Sequence, residues 1–150
     1  MPSDYDVANA WAIALDASAT LAGYCQERFD KPMQVSLGMD FGSENLTERD
    51  APYAIVIPLR SKGGFETDYD VPSVVISIGV VDKVRETFGV HGTRSRGYGS
   101  LNQLEDIISK VLDSTEFTPS TWDGENDQLG KHFFVRHILF ECVIPRTIGI

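Results

Sequence analysis

The sequence predicts an α+β fold in which an antiparallel or mixed β-sheet carries two helices packed on one face. Apolar residues recur at three- and four-residue steps near the N-terminus and again after residue 100, as on amphipathic helices. β-branched runs typical of strands lie between these segments, and the strongest is SVVISIGVV at residues 73–81. The order of helix, several strands, an irregular arm, helix and closing strand leads to this fold class.

The N-terminal helix is the clearest element. Its apolar stripe runs from Val7 to Phe29, Asp4 and Asp6 supply the N-cap and first-turn charge, and Pro32 ends it. A continuous helix of this length would measure about 34 Å. Further apolar residues widen the stripe beyond what one sheet contact needs, so we interpret this flank as either core beneath a loop or a subunit contact. These residues are Ala10, Ile13, Ala17 and Tyr24.

Short strands are expected at residues 33–37 and at residues 53–59, where Pro58 must lie at an edge or a bulge. Residues 73–81 are apolar on both faces, as in a central strand that a helix covers. Gly79 within this run predicts a bulge or a close approach of the backbone.

The second helix is predicted to begin at a capping box formed by Ser100 and Gln103, directly before an apolar run. Residues 132–144 (HFFVRHILFECVI) then alternate as a closing strand. One face of this strand holds Phe134, Ile138, Phe140, Cys142 and Ile144, and the other holds Phe133, Val135, Leu139 and Val143.

The 150 residues are expected to form one domain, with a flexible arm or long hairpin at about 82–99 and polar loops at 38–50 and 118–130. Hydrophobic residues make up 42% of the chain, which excludes global disorder. The net charge of −9 argues against sequence-specific binding of nucleic acid, since phosphate contacts need clustered Lys and Arg.

The chain is expected to be soluble and cytoplasmic. No run approaches the roughly 18 apolar residues of a membrane helix, so no membrane partner is predicted. The N-terminus lacks the basic and apolar segments of a secretory signal.

Metal binding is not predicted. His132 and His137 are five residues apart on a predicted strand and therefore lie on opposite faces, whereas zinc needs three or four convergent ligands. Two alternating acidic runs lack the spacing of a calcium loop, and we interpret both as solvated loops. These runs are Glu66, Asp68 and Asp70, and Asp123, Glu125 and Asp127.

No catalytic residue and no cofactor are predicted, although an enzyme of unrecognised type remains a further alternative. Cys25 and Cys142 lie in apolar patterns without CxxC spacing and are expected to be buried, reduced thiols. The sequence has no G-x-S-x-G elbow. Glu141 follows an apolar run, and we interpret it as an exposed strand end or as an ion-pair partner of Arg136 or of a neighbouring chain.

The segment GTRSRGYGS, residues 92–100, leads into the start of a helix, where free amides and the helix dipole favour an anion. Arg94 and Arg96 add positive charge, but the phosphate-loop pattern is missing. A small-ligand module that binds an anion such as phosphate is therefore the alternative to protein contact. Arg and Tyr are enriched at protein interfaces, which favours contact through this arm and Tyr98.

The order of the elements resembles the phage tail-terminator or tail-completion family, with its relatives at the head–tail joint. The N-terminal helix, YAIVIPL, SVVISIGVV, the arm at 82–99, the SLNQLEDIISKVL helix and the FFVRHILFECVIPR strand carry the resemblance. It implies a small sandwich of two helices against a sheet. It also implies a virion structural protein, encoded by a phage or a prophage, that forms rings, commonly of six copies, without catalytic residues.

The resemblance implies a homo-oligomer, with a hexameric ring suspected, that contacts other tail or connector proteins in the virion. Family members often use a loop between the sheet and the second helix for ring or tube contacts, and this loop corresponds to the arm at 82–99. The segment 38–50 departs from the family pattern. The predicted interface residues, from the helix flank and the arm, are Ile13, Ala17, Tyr24, Arg85, Arg94, Arg96 and Tyr98.

Overall fold

The computed structural model describes residues 2–38, 48–63 and 69–145. The helices in this part of the chain are α1 (Asp4–Ala17), α2 (Ala19–Phe29) and α3 (Gly97–Asp113), and a short 3-10 turn spans Glu48–Asp50. The strands are β1 (Gln34–Leu37), β2 (Tyr53–Lys62), β3 (Tyr69–Val81), β4 (Arg85–Phe88), β5 (Gly92–Ser95), β6 (Thr121–Gln128), β7 (Phe133–Glu141) and β8 (Ile144–Pro145).

Six strands form the main sheet, in the order β1, β2, β3, β7, β6, with β8 paired to the start of β3. β1 runs parallel to β2, and the other pairs are antiparallel. The sheet is therefore mixed, and the predicted α+β class is confirmed. β3 lies between β2 and β7, which explains why the run at residues 73–81 is apolar on both faces.

The helices pack on one face of this sheet and enclose the main core. Side chains of β2, β3 and β7 alternate between this face and the opposite one, as strand geometry requires. Trp11 is fully buried, lies edge-on to Phe140 at 5.7 Å, and donates its Nε1–H to the Phe117 carbonyl at 2.8 Å. The expected alternation in the closing strand is confirmed, with Phe134 in this core and Phe133 on the opposite face.

The predicted continuous first helix is wrong, because Ser18 interrupts it. Ser18 has an extended backbone (φ −73°, ψ 112°), and its Oγ accepts a hydrogen bond from the Leu21 N–H at 3.2 Å. Serine favours such positions because its hydroxyl competes with the helix for backbone groups. The predicted N-cap is also displaced, since Ser3 caps α1 in a capping box with Asp6.

The predicted capping box of the second helix does not form. α3 begins at Gly97, three residues before Ser100, and Arg96 occupies its N-cap without a side-chain cap. Ser100 lies inside α3, and its hydroxyl donates a charge-assisted hydrogen bond to the Asp82 carboxylate at 2.8 Å. Gln103 accepts a hydrogen bond from the Tyr24 hydroxyl at 2.6 Å.

The two predicted loops and the arm have different outcomes. The loop predicted at 118–130 is wrong over most of its length, because β6 pairs there with β7 as an edge strand. Its sequence, TWDGENDQ, is almost fully exposed, so only pairing with its neighbour makes it a strand. Residues 39–47 of the other predicted loop, at 38–50, lie outside the described residues. Glu66 and Asp68 of the first acidic run lie outside them as well.

Among the strands that the structure describes, β4 and β5 pair with each other and with no third strand, so the segment at 82–99 contains a hairpin, one of the two forms predicted for it. Two smaller predictions are confirmed in β2 and β3. The register shifts between Pro58 and Arg60, as expected for a bulge. The Tyr53 ring lies over Gly79, where a Cβ atom would come within 2.2 Å of the ring.

Candidate functional site

Asp82 is the polar centre of the predicted contact region. It directly follows β3, and its side chain is fully enclosed. Its carboxylate accepts hydrogen bonds from Arg96 Nε at 2.8 Å, from the Ser100 hydroxyl at 2.8 Å and from the Val84 N–H at 3.1 Å. Burial by itself favours the neutral acid, but these donors outweigh it and lower the pKa of Asp82.

The Asp82 carboxylate joins three elements. Val84 precedes β4, Arg96 follows β5, and Ser100 lies in the first turns of α3. The Arg96 N–H also donates to the Val84 carbonyl at 3.0 Å and closes the base of the hairpin. The base of the hairpin is therefore attached to both the sheet and the helix.

Beyond its base, the hairpin is organised by its own side chains. The Phe88 ring lies over Gly92, and the Arg94 guanidinium lies 5.4 Å from the centroid of that ring. Arg94 Nε is also 3.5 Å from Glu86 Oε1. The tip remains open to solvent, since Phe88 is 50% exposed and Val90 is 88% exposed.

The predicted arm residues play different parts. Arg85 and Arg94 are exposed on the hairpin, with Arg85 donating to Thr93 Oγ1 at 3.2 Å. Arg96 is held inward by Asp82. Tyr98 packs edge-on against Phe134 at 4.9 Å and donates its hydroxyl to Gln128 at 3.2 Å, with 42% of its surface exposed.

The predicted helix flank is not one continuous surface, because the break at Ser18 separates its residues. Ile13 is 62% exposed and Ala17 is exposed, both on α1. Tyr24 lies on α2, half-buried against the core. Ile13 lines an open cleft beside Phe117, whereas Tyr24 lies at the junction of α2 with α3.

A second cleft, of about 220 Å³, lies at this α2–α3 junction and is lined by Tyr24, Glu27, Arg28 and Arg96. Arg28 Nη1 and the Tyr24 hydroxyl share one acceptor, Gln103 Oε1, at 2.8 and 2.6 Å. The Arg28 guanidinium lies 5.6 Å from the centroid of the Tyr24 ring. Sequence reasoning missed Arg28, since a lone arginine near a helix end carries no pattern that marks it.

The face of the sheet opposite the helices carries polar and acidic side chains. Ser77 and His137 are cross-strand partners there, with Ser77 Oγ 2.7 Å from His137 Nδ1. The edge strand β6 places its alternating acids, Asp123, Glu125 and Asp127, on the same face. Within residues 2–38, 48–63 and 69–145, no group of three His, Cys, Asp or Glu side chains is placed to hold a metal ion.

Arg136 is another residue whose partner the sequence did not reveal. It projects from β7 toward the helices and pairs with Glu105 of α3, with Nη2 3.2 Å from Oε2. Its Nη1 donates to Asn126 Oδ1 at 2.8 Å. Arg136 therefore forms its ion pair with Glu105 of α3 and not with Glu141, the pairing that the sequence left open.

Both cysteines are buried and free, as predicted. Burial raises the pKa of Cys25 to about 12 and also raises the pKa of Cys142. We expect both thiols of the native protein to react with an aromatic disulfide reagent at least about 100-fold more slowly than in urea, because the thiolate is the reactive form. A Val90→Cys variant supplies an exposed thiol as the control, and rapid labelling of Cys25 or Cys142 would contradict the expectation.

No protein-family model and no curated protein matches this chain. The fold and the site therefore define the protein only as an α+β domain with a hairpin anchored by a buried aspartate. In the part of the chain that the structure describes, each helix is too short or too polar to cross a membrane.

Proposed function

We propose that the protein is a structural assembly protein that forms rings, as tail terminators do at the head–tail joint of a phage or prophage particle. The observation that carries the proposal is the β4–β5 hairpin. It forms a two-stranded sheet separate from the main sheet, and it presents Phe88 and Val90 to solvent at its tip.

An isolated two-stranded hairpin is marginally stable in water, and exposed apolar side chains favour a covering partner. The attachment through Asp82 holds the base of this hairpin in a defined orientation while the tip stays uncovered. A pre-oriented apolar tip loses little conformational freedom on binding, which favours its use as a contact element.

The charges of the chain suggest where such a tip could bind on a second copy. The hairpin and its base carry Lys83, Arg85 and Arg94, of which Arg94 is paired with Glu86. The edge strand β6 carries three exposed acids, and no strand of the described residues pairs with its outer side. Opposite charges steer association, and contact between two different surfaces of identical chains closes into a ring when the rotation allows it.

Two further features support a role in an assembly. Ile13 and Ala17 give α1 an exposed apolar side, which offers a surface for a tail or connector protein above or below a ring. The net charge of −9 per chain means that a ring would not hold DNA through its phosphates.

Size-exclusion chromatography with light scattering tests the proposal. The unmodified chain is expected to form a discrete oligomer, and Val90→Asp is expected to raise its dissociation constant by about 100-fold, because a charge at a buried contact centre is costly. Val143→Asp is the matched control, since Val143 is also exposed but lies near the opposite end of the β3–β7 pair from the hairpin.

Two results would overturn the proposal. One is a strict monomer at every concentration measured. The other is an oligomer that Val90→Asp and Val143→Asp affect equally, because the hairpin tip would then have no special part in assembly.

A further inference from the structure

We propose that the cleft between α2 and the start of α3 binds a small oxyanion, such as phosphate or a free carboxylate. Its lining residues, Tyr24, Glu27, Arg28 and Arg96, belong to one chain, so the site does not depend on ring formation. It also differs from the anion site expected from sequence, because Arg94 lies on the hairpin with Glu86 and not at this cleft.

Arg28 supplies the first reason. Its Nε is enclosed and has no hydrogen-bond partner among the described residues, while its Nη1 donates to the oxygen of the neutral Gln103 amide. Among the described residues, no carboxylate lies within ion-pairing distance of Arg28. The positive charge of Arg28 therefore has no anionic partner in this part of the chain, and an oxyanion in the adjoining cleft would supply the compensating charge and accept from its Nη groups.

Arg96 supplies the second reason. Arg96 lines the same cleft. Within the described residues, its guanidinium makes a hydrogen bond to Asp82 through Nε, and no such bond involves its Nη groups. A guanidinium has five N–H donors in a planar fork, a geometry that matches phosphate and carboxylate oxygens. Arg28 and Arg96 both carry positive charge on the lining of this cleft, and an anion bound there would be attracted by both.

Tyr24 and the start of α3 complete the site. Burial raises the pKa of the Tyr24 phenol against the opposing charge of Arg28, so this hydroxyl, which donates to Gln103, stays neutral at physiological pH and adds no negative charge to the cleft. Arg96 is the N-cap residue of α3 and makes no side-chain capping bond. The first turn of a helix carries partial positive charge. This charge adds to that of the two arginines.

The size of the cleft limits the ligand. The cleft, at about 220 Å³, is smaller than the roughly 300–1,000 Å³ of sites for drug-sized ligands, which favours a small anion over a whole nucleotide. Glu27 on the lining disfavours a highly charged ligand such as a polyphosphate.

Isothermal titration calorimetry with inorganic phosphate and, separately, with acetate tests the proposal on the intact protein. We expect saturable binding of at least one of them, and the preferred anion distinguishes a phosphate site from a carboxylate site. Arg28→Gln is expected to weaken binding at least 10-fold, and Arg28→Lys to weaken it less, because the charge remains while the fork is lost.

Two variants act as matched controls. Arg94→Gln removes the same charge from the exposed hairpin and should change the affinity by less than about twofold, in keeping with screening of distant surface charges. Glu27→Gln removes the one acid from the lining and should strengthen binding several-fold. Because Glu27 is exposed, this variant also remains informative if Arg28→Gln fails to fold.

The proposal is overturned if neither anion binds, or if Arg94→Gln weakens binding as much as Arg28→Gln does. It is also overturned if Glu27→Gln leaves the affinity unchanged. These outcomes are separate from ring formation, since light scattering on the same samples reports the oligomeric state independently.

Discussion

Replacement of Asp82 with alanine is expected to lower the free energy of unfolding by about 3 kcal/mol, the typical cost of removing one partner from a buried, hydrogen-bonded ion pair. The substitution leaves Arg96 Nε, the Ser100 hydroxyl and the Val84 N–H without the acceptor that they share. Urea denaturation followed by circular dichroism measures the change.

Asp106→Ala is the matched control, because Asp106 is an exposed aspartate on α3 and its loss should change the free energy by less than about 0.5 kcal/mol. A similar stability for Asp82→Ala and Asp106→Ala would show that the Asp82 cluster does not hold the hairpin and the helix together.

The lowered pKa of Asp82 also predicts how the stability difference between the unmodified chain and an Asp82→Asn variant depends on pH. A folded-state pKa below the ordinary value of 3.8 means that the native state binds the proton more weakly than the unfolded chain. The stabilisation is therefore fully present above that ordinary value and is lost as the pH falls through the folded-state pKa. The stability difference between the unmodified chain and Asp82→Asn should thus be constant near neutral pH and shrink below about pH 4.

Replacement of Gly97 with valine is expected to lower the free energy of unfolding by about 3 kcal/mol, at the upper end of the usual cost of overpacking a core. A Cβ atom at Gly97 would lie 2.2 Å from Cδ2 of Phe134, whose side chain is fully buried. The Phe134 ring also contacts Tyr98 at 4.9 Å, so its displacement would disturb the first turn of α3. Thermal or urea denaturation measures the effect.

Gly99 provides the control for Gly97, since it lies in the same helical turn and a Cβ atom there meets nothing within 4 Å. Gly99→Val should change the free energy of unfolding by less than about 0.5 kcal/mol, because valine is a better helix former than glycine and no clash opposes it. Equal destabilisation by the two substitutions would mean that the contact with Phe134 does not set the cost at Gly97.

Asp82 and Gly97 have a shared importance for the two proposals. Asp82 holds the base of the hairpin whose tip is the proposed ring contact, and it also orients Arg96 on the lining of the proposed anion cleft. Gly97 allows α3 to start directly against Phe134, next to that cleft. A variant at either position is therefore expected to affect assembly and anion binding together, whereas Val90→Asp and Arg28→Gln separate them.

Much of the candidate site could not be predicted from the sequence, because its residues come from distant parts of the chain. Asp82 stands between a strand and a polar arm, where an aspartate is usually solvated, and only its enclosure by Arg96 and Ser100 makes it structural. Arg28 approaches Gln103 across 75 positions of sequence, and no local pattern encodes such a contact. Arg96 and Tyr98, by contrast, were singled out from the sequence as protein-contact residues because Arg and Tyr are enriched at interfaces, and that role stays a prediction.

Local patterns determined the α+β class, the central strand at residues 73–81 and the alternation in β7, because burial of one face imposes a period that a single chain displays. They also limited Pro58 to an edge or a bulge and Gly79 to a bulge or a close approach, and the structure selected the bulge and the close approach. The break at Ser18 also has a local cause, the capping of α2 by the serine hydroxyl, although the apolar stripe that continues across it concealed the break. Tertiary structure decided the strand at residues 121–128, because its local preferences are weak and pairing with β7 selects the conformation.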